Sequence, residues 1–201
     1  MHVVFVTNKL VNGGGERVLV QLISGVCAAG GRATILFIGK RRAIVPEVRA
    51  EMEVAGARVI LAASPLAALR ALRTATALHL YNVNVYVKAL PVLPLFRRAQ
   101  VICHVHGAAE SANSLARRLF RTGWNPCDEI IFVSEAGRAS WGITRGRVVA
   151  NPVTFPPHRE SALSITSGRP RLLSVNRLVE VKRAAAQLDI LAGLRGTHGL
   201  D

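Results

Sequence analysis

Met1-His2-Val3-Val4-Phe5-Val6-Thr7-Asn8-Lys9-Leu10-Val11-Asn12-Gly13-Gly14-Gly15-Glu16-Arg17 opens the chain. Val3–Val6 is a short apolar run that reads as a strand and goes straight into a turn at Thr7-Asn8-Lys9. It lacks the basic lead and the long apolar stretch of a signal peptide. Glycines follow, and a helical pattern then runs from about Glu16 to Ala29. The same alternation continues outward from this first unit. Strands are expected at Ala33–Ile38, Ala57–Leu61, Ala77–Tyr81, Gln100–His104, Glu129–Val133 and Arg147–Ala150. Helices are expected between them. Pro46 opens one that ends before Gly56, and Ser64-Pro65 reads as an N-cap followed by proline at the first helical position. Val83 to Phe96 is expected to be helical with a bend at Pro91 and Pro94, and Glu110–Thr122 is expected to be an arginine-rich helix. Strand and helix alternating throughout predict an α/β fold, a doubly wound Rossmann-like parallel sheet with flanking helices.

Residues 152–170 break the pattern. They carry Pro156, Pro157 and Pro170 and little periodicity, and read as an interdomain linker. Residues 1–151 are therefore one expected domain. Residues 171–201 hold a fresh strand, Leu172–Val175, and a helix over Arg183–Leu194, the first β-α unit of a second, truncated domain.

Composition agrees with this class. Of the 201 residues, 50% are hydrophobic and only 5% aromatic, so the core must be built from Leu, Val, Ile and Ala, which suits a parallel sheet buried on both faces. Lys and Arg number 26 against 12 Asp and Glu, for a net charge of +14. Lys9, Lys40, Lys88 and Lys182 are the only lysines. Such a charge attracts nucleic acid, anionic head groups or nucleotide phosphates; the scattered arginines read equally well as coding bias. No nucleic acid is expected as a partner, because basic and aromatic residues do not interleave. Cys27, Cys103 and Cys127 lack zinc-ligand spacing and are expected reduced in the core of a cytoplasmic protein. No carboxylate–histidine cluster suggests a metal, and no segment is long and apolar enough to cross a bilayer.

Five motifs taken together resemble the family-4 glycosyltransferases. They are Asn12-Gly13-Gly14-Gly15-Glu16-Arg17, Cys103-His104-Val105-His106-Gly107, the run Cys127 to Glu135, Val149-Ala150-Asn151-Pro152-Val153, and Leu172 to Leu178 with Lys182 beyond it. Each is weak alone, but they occur in the family's order over the whole chain. The resemblance implies a GT-B fold, with an acceptor-side N-terminal domain followed by the start of a donor-binding domain. It implies retaining transfer from a nucleotide-diphosphate sugar, as substrate rather than cofactor, to a glycan or lipid-linked acceptor. The chain departs from the pattern where Asn176 and Arg183 replace glycines, and where the acidic part of the donor domain is missing. This chain alone is therefore expected to be inactive. The alternative is a non-catalytic acceptor- or membrane-binding half that partners a separate donor-domain chain.

By the same resemblance Gly13, Gly14, Gly15, Glu16 and Arg17 face the donor cleft, His106 lies near the transferred sugar, and Arg177 and Lys182 hold the departing diphosphate. Each has a plainer reading as an ordinary strand–helix turn, a helix-start carboxylate, a structural histidine or a pair of solvated surface charges. His104 is expected on the opposite face of its strand from His106, as a structural residue, and Ser134 as a helix cap. Ser114 to Arg121 mixes basic and apolar residues. It reads as a surface for an anionic membrane, peripheral on the inner face, or as an amphipathic helix packed on the sheet.

Overall fold

Alternate residues of a strand face opposite sides of a sheet, and in this chain both sides are apolar. In β1 (His2–Thr7), Val3 and Phe5 enter one core while Val4 and Val6 enter another. The computed structural model describes residues 1–96, 98–122, 126–153 and 183–198. Among these, β1 is joined by β2 (Arg32–Phe37), β3 (Ala57–Leu61), β4 (Ala77–Tyr81), β5 (Gln100–Val105), β6 (Glu129–Phe132) and β7 (Arg147–Val148). The order is β3-β2-β1-β4-β5-β6-β7 and every pairing is parallel. This is the expected doubly wound, Rossmann-like sheet. Because β1 has β2 on one side and β4 on the other, the winding reverses between β1 and β4. Open α/β sheets bind their ligands at such a switch point, at the carboxyl ends of the strands.

The first core lies under α1 (Gly14–Ala28) and α2 (Pro46–Val54), where Leu19, Ile23, Val48 and Met52 meet Phe5, Ile35 and Phe37. The second lies under α3 (Pro65–Thr74), α4 (Val83–Ala89), α5 (Ser114–Arg121) and α6 (Glu135–Trp141). There Tyr86, Phe120 and Trp141 pack edge to face, with ring centroids 5.2 and 5.0 Å apart. Each such fully buried side chain contributes roughly 1.5–3 kcal/mol. Cys103 and Cys127 are buried together in this second core, and burial, with the neighbouring Cys127 thiol, pushes the Cys103 thiol up.

Several boundaries differ from the sequence reading for identifiable reasons. α1 begins at Gly14, so Gly14 and Gly15 lie inside its first turn and Gly13, with extended backbone, is the N-cap. The expected helix over Val83 to Phe96 stops at Ala89, and only a 3-10 turn at Leu93–Phe96 follows, because Pro91 and Pro94 donate no backbone hydrogen bond. The expected Glu110–Thr122 helix starts late. Asn113 accepts the Ala116 N–H at 2.7 Å and caps α5, leaving Ala109–Ser111 as a separate 3-10 turn. Ser64 stands at the N-cap of α3 but its side chain makes no capping bond. Ser134 does cap α6, accepting from Gly137 N at 3.0 Å.

The chain separates into two units, Met1–Val153 and Thr154–Asp201. The second unit contributes α7 (Ala184–His198). Arg183, at a position where the resemblance expects glycine, precedes it in the left-handed region with φ 48°. The linker from residue 154 on, the Leu172–Val175 strand, Arg177 and Lys182 lie outside the described residues.

Two glycines separate steric from conformational need. A Cβ at Gly39 would sit 2.1 Å from the Asn8 carbonyl oxygen and 2.6 Å from the Phe37 ring, whereas Gly142 has φ 64° and open space around it. Gly39→Ala is expected to lower unfolding free energy by about 1–3 kcal/mol through overpacking at the end of β1. Gly142→Ala should cost only about 1 kcal/mol, from its backbone conformation. Urea denaturation of the two variants measures both, and a Gly142→Ala loss equal to or above that of Gly39→Ala contradicts this account.

Candidate functional site

The loop leaving β1 is tied down before it reaches the glycines. Thr7 Oγ1 donates to the Lys9 carbonyl at 3.0 Å. Leu10 is fully buried; its N–H donates to Ala43 O at 2.8 Å, and its carbonyl accepts from Val45 N at 2.7 Å. The strand end is therefore braced against the segment before α2, and the chain arrives at Gly13 in a fixed direction. Gly13 has no side chain with which to cap α1. Glu16 lies over this turn. A Cβ on Gly13 would come within 2.7 Å of its Oε2, and its negative charge offsets the positive helix end. Arg17 is exposed and turned to α2, where its Nη1 pairs with Glu51 Oε2 at 2.7 Å.

Across the switch point, Tyr81 ends β4. Its hydroxyl donates to the Gly15 carbonyl, a direct tie between β4 and the glycine turn. The Tyr81 ring packs on His106 with centroids 4.3 Å apart, and His106 packs on His104 at 4.1 Å. His104 and His79 are joined by a 3.1 Å hydrogen bond between Nδ1 and Nε2. The four rings form one row along the α1 face of β4 and β5, following the register that sets Tyr81 opposite His104. His104 therefore does not point away from His106. Residues two apart in an extended strand share a face, so the expectation of opposite faces is corrected. His104 is nonetheless buried among the core elements, as a structural residue would be.

Burial decides the charge of these groups. It lowers the His79 pKa to about 3 and the His104 pKa to about 2, and neighbouring imidazoles add to both effects. Burial alone holds His106 at about 4. Burial and the nearby Glu16 raise the Tyr81 phenol, so it remains a donor. At neutral pH the row is uncharged, a set of hydrogen-bonding groups rather than a cationic one. Asn8 Oδ1, His104 Nε2 and His106 Nε2 are buried and have no hydrogen-bond partner among the described residues. Buried polar atoms of this kind call for a ligand or water to complete them.

The loop after His106 is held from the opposite face. Trp141 Nε1 donates to Gly107 O at 2.9 Å, and the Ala109 N–H donates to Ser140 Oγ at 3.0 Å. Arg117 donates to the Ala109 and Ala112 carbonyls, and Arg121 to those of Ser140 and Trp141. Of the three α5 arginines, Arg117 thus staples this loop and Arg121 ties α5 to the end of α6, as a packed amphipathic helix would. Among the described residues no helix is long and apolar enough to cross a membrane. Asn82, next to Tyr81, has φ 118° and caps α4 by accepting from Val85 N at 3.0 Å. This places backbone strain at the same sheet edge.

The structure thus places the Gly13–Gly15 turn, Glu16 and His106 around Tyr81 at one sheet edge, and Arg17 on the α2 side. Sequence inspection does not single out Tyr81, His79 or Trp141. For Tyr81 and His79 the available signal is periodicity: two polar rings at alternate positions of β4, matching His104 and His106 beyond β5. Trp141 gives no such signal, since its role is a tertiary hydrogen bond.

No family model matches the chain, and a search of the curated proteins gives no match. Among solved structures the chain is similar to Anabaena Alr3699/HepE in complex with UDP and glucose, with a TM-score of 0.59 and 16% identity over 76% of this chain and 45% of that one. It is also similar to Anabaena Alr3699/HepE in complex with UDP-glucose, with a TM-score of 0.58 and 17% identity over 76% of this chain and 44% of that one. At this identity the likeness is one of fold, and the chain spans less than half the length of these structures.

Proposed function

We propose that residues 1–153 are the acceptor-side domain of a GT-B glycosyltransferase that transfers a sugar from a nucleotide-diphosphate donor. The observation that carries the reading is the neutral row Tyr81–His106–His104 set against the Gly13–Gly15 turn at the topological switch point. The fold likeness to chains solved with UDP, glucose and UDP-glucose supports it. Ligands of open α/β sheets bind at this switch point, and a sugar suits an uncharged row of donors and acceptors better than an ion does. His106 Nε2, buried and without a partner among the described residues, accepts from or donates to a sugar hydroxyl. The backbone at Gly13–Gly15 permits close approach of the donor. Arg177 and Lys182 are assigned, on the motif resemblance, to the charge that builds on the leaving diphosphate. Retention, a glycan or lipid-linked acceptor and a peripheral position at an anionic membrane belong to this same proposal.

Titration of the protein with UDP-glucose, followed by amide chemical shifts, tests it. The resonances of Gly13–Gly15 and Gly107 should move at millimolar ligand. Joining a complete donor-binding domain after residue 170 should tighten binding by about tenfold or more, worth roughly 1.4 kcal/mol. His106→Ala should reverse most of that gain. Resonances that stay still at both loops, in the chain and in every such chimaera, refute the reading.

The neutral state of the row has a consequence for stability. His79 and His104 have folded pKa values of about 3 and 2, below the ordinary 6.5. Below pH 6.5 the unfolded chain takes up protons that the folded one refuses, so stability is full above that pH and falls as pH drops toward 3. The loss at pH 5 is of the order of 2 kcal/mol per buried histidine. Thermal unfolding at pH 7.5 and pH 5.0 should show a lower Tm in acid, with a smaller fall in His79→Asn. An acid Tm drop of the same size in the variant excludes His79 as a source.

A further inference from the structure

A different face of the sheet departs from the apolar pattern in a way the carboxyl-edge site does not explain. A parallel strand covered by a helix should present apolar residues to it. Beneath α3, at the amino ends of β1, β2 and β3, the chain instead presents His2, Arg32, Thr34 and Arg58. The strand register sets His2 opposite Arg32 and Thr34 opposite Arg58, so the four exceptions gather on one face. The inner side of α3 is built from alanines, among them Ala67 and Ala71. Between this helix and the sheet lies a cavity of about 580 Å³ whose rim carries Arg32, Arg58 and Arg70, with no acidic residue in its lining.

The floor is organised for hydrogen bonding. Arg32 Nη2 lies 3.0 Å from His2 Nδ1. A guanidinium only donates, so Nδ1 is the acceptor and the His2 proton resides on Nε2. Burial and the Arg32 charge both lower the His2 pKa, in keeping with this neutral form. The Nε2–H then donates to Thr34 Oγ1 at 2.9 Å. Thr34, 3% exposed, makes no further hydrogen bond among the described residues, so its hydroxyl proton is left to point elsewhere. Arg58 and Arg70 make no ion pair with any described residue, whereas Arg17, Arg49, Arg138 and Arg147 all find carboxylates. Ser64 leaves the first turn of α3 without a side-chain cap, and that turn lines the same cavity.

We propose that this cavity is a second binding site, separate from the carboxyl-edge site, for a ligand bearing a phosphomonoester or diphosphate group. Three guanidiniums with a hydroxyl donor and an uncapped helix start exceed what a single carboxylate neutralises, and match a group carrying about two negative charges. Arginine forks read phosphate oxygens two at a time. The volume accommodates a small phosphorylated molecule, and the open rim equally admits the head group of an anionic lipid.

Calorimetric titration with inorganic pyrophosphate tests the proposal. The double variant Arg58→Ala/Arg70→Ala, at exposed positions, should bind at least roughly tenfold more weakly. The control Arg49→Ala/Arg138→Ala removes equal charge elsewhere and should bind within about twofold of wild type. Co-sedimentation with phosphatidylglycerol vesicles, and its reversal by pyrophosphate, assigns the phosphate to a lipid; pyrophosphate binding without vesicle binding assigns it to a soluble ligand. Absence of pyrophosphate heat, or equal weakening in both double variants, overturns the site.

Discussion

Every described strand runs in one direction, and that single constraint gathers the chemistry of this chain. A parallel sheet sends each post-strand loop out of the same edge. The reversal of winding between β1 and β4 then leaves a gap that no crossover covers. The segments bordering the gap are the glycine turn, the end of β4 and the loop after β5. None is a neighbour of the others in sequence, and Tyr81 connects them: its hydroxyl reaches Gly15 and its ring supports His106. The tie uses a group that stays protonated, so it holds across the physiological pH range.

The polar row at this edge is expensive for the fold. Rings of His79 and His104 stand where apolar residues would pack without loss. They are kept neutral by burial, and they satisfy each other through only one bond. Neutrality is what makes the arrangement tolerable, because three imidazolium ions at centroid spacings near 4–5 Å would repel strongly. Natural folds concentrate such departures where they bind something. The unpartnered atoms of Asn8, His104 and His106 all belong to segments at or beside this edge.

Much of the architecture is legible in the sequence because it depends on local signals. Pro46, Pro65 and the glycine after α2 mark helix ends, and the apolar runs mark the strands in order. Breaks arise where a tertiary partner or a proline overrides periodicity: α4 ends before Pro91, and α5 waits for the Asn113 cap. The site is legible only in part. Gly13–Gly15 and His106 stand out as motifs, whereas Tyr81 matters through a hydroxyl contact spanning 66 residues. Arg17 carries a motif position yet settles on Glu51, because a flexible exposed cation takes the nearest carboxylate whatever its neighbours in sequence do.

The excess of arginine takes on a different meaning once each guanidinium is located. A net charge of +14 read as a uniform field points toward a polyanion such as nucleic acid. The structure divides that charge among separate tasks. Arg17, Arg49, Arg138 and Arg147 meet carboxylates, and these exposed pairs contribute little beyond about 1 kcal/mol each. Arg117 donates to backbone carbonyls of the loop after β5, and Arg121 to those at the end of α6. Lysine, a compact point charge, cannot span two carbonyls with a rigid fork, so arginine suits this stapling role. A further share is a local concentration beneath α3, where Arg58 and Arg70 line a cavity with no acidic residue in its lining. A basic composition spent in this way is evidence for discrete contacts, and the protein's charge has to be argued pocket by pocket.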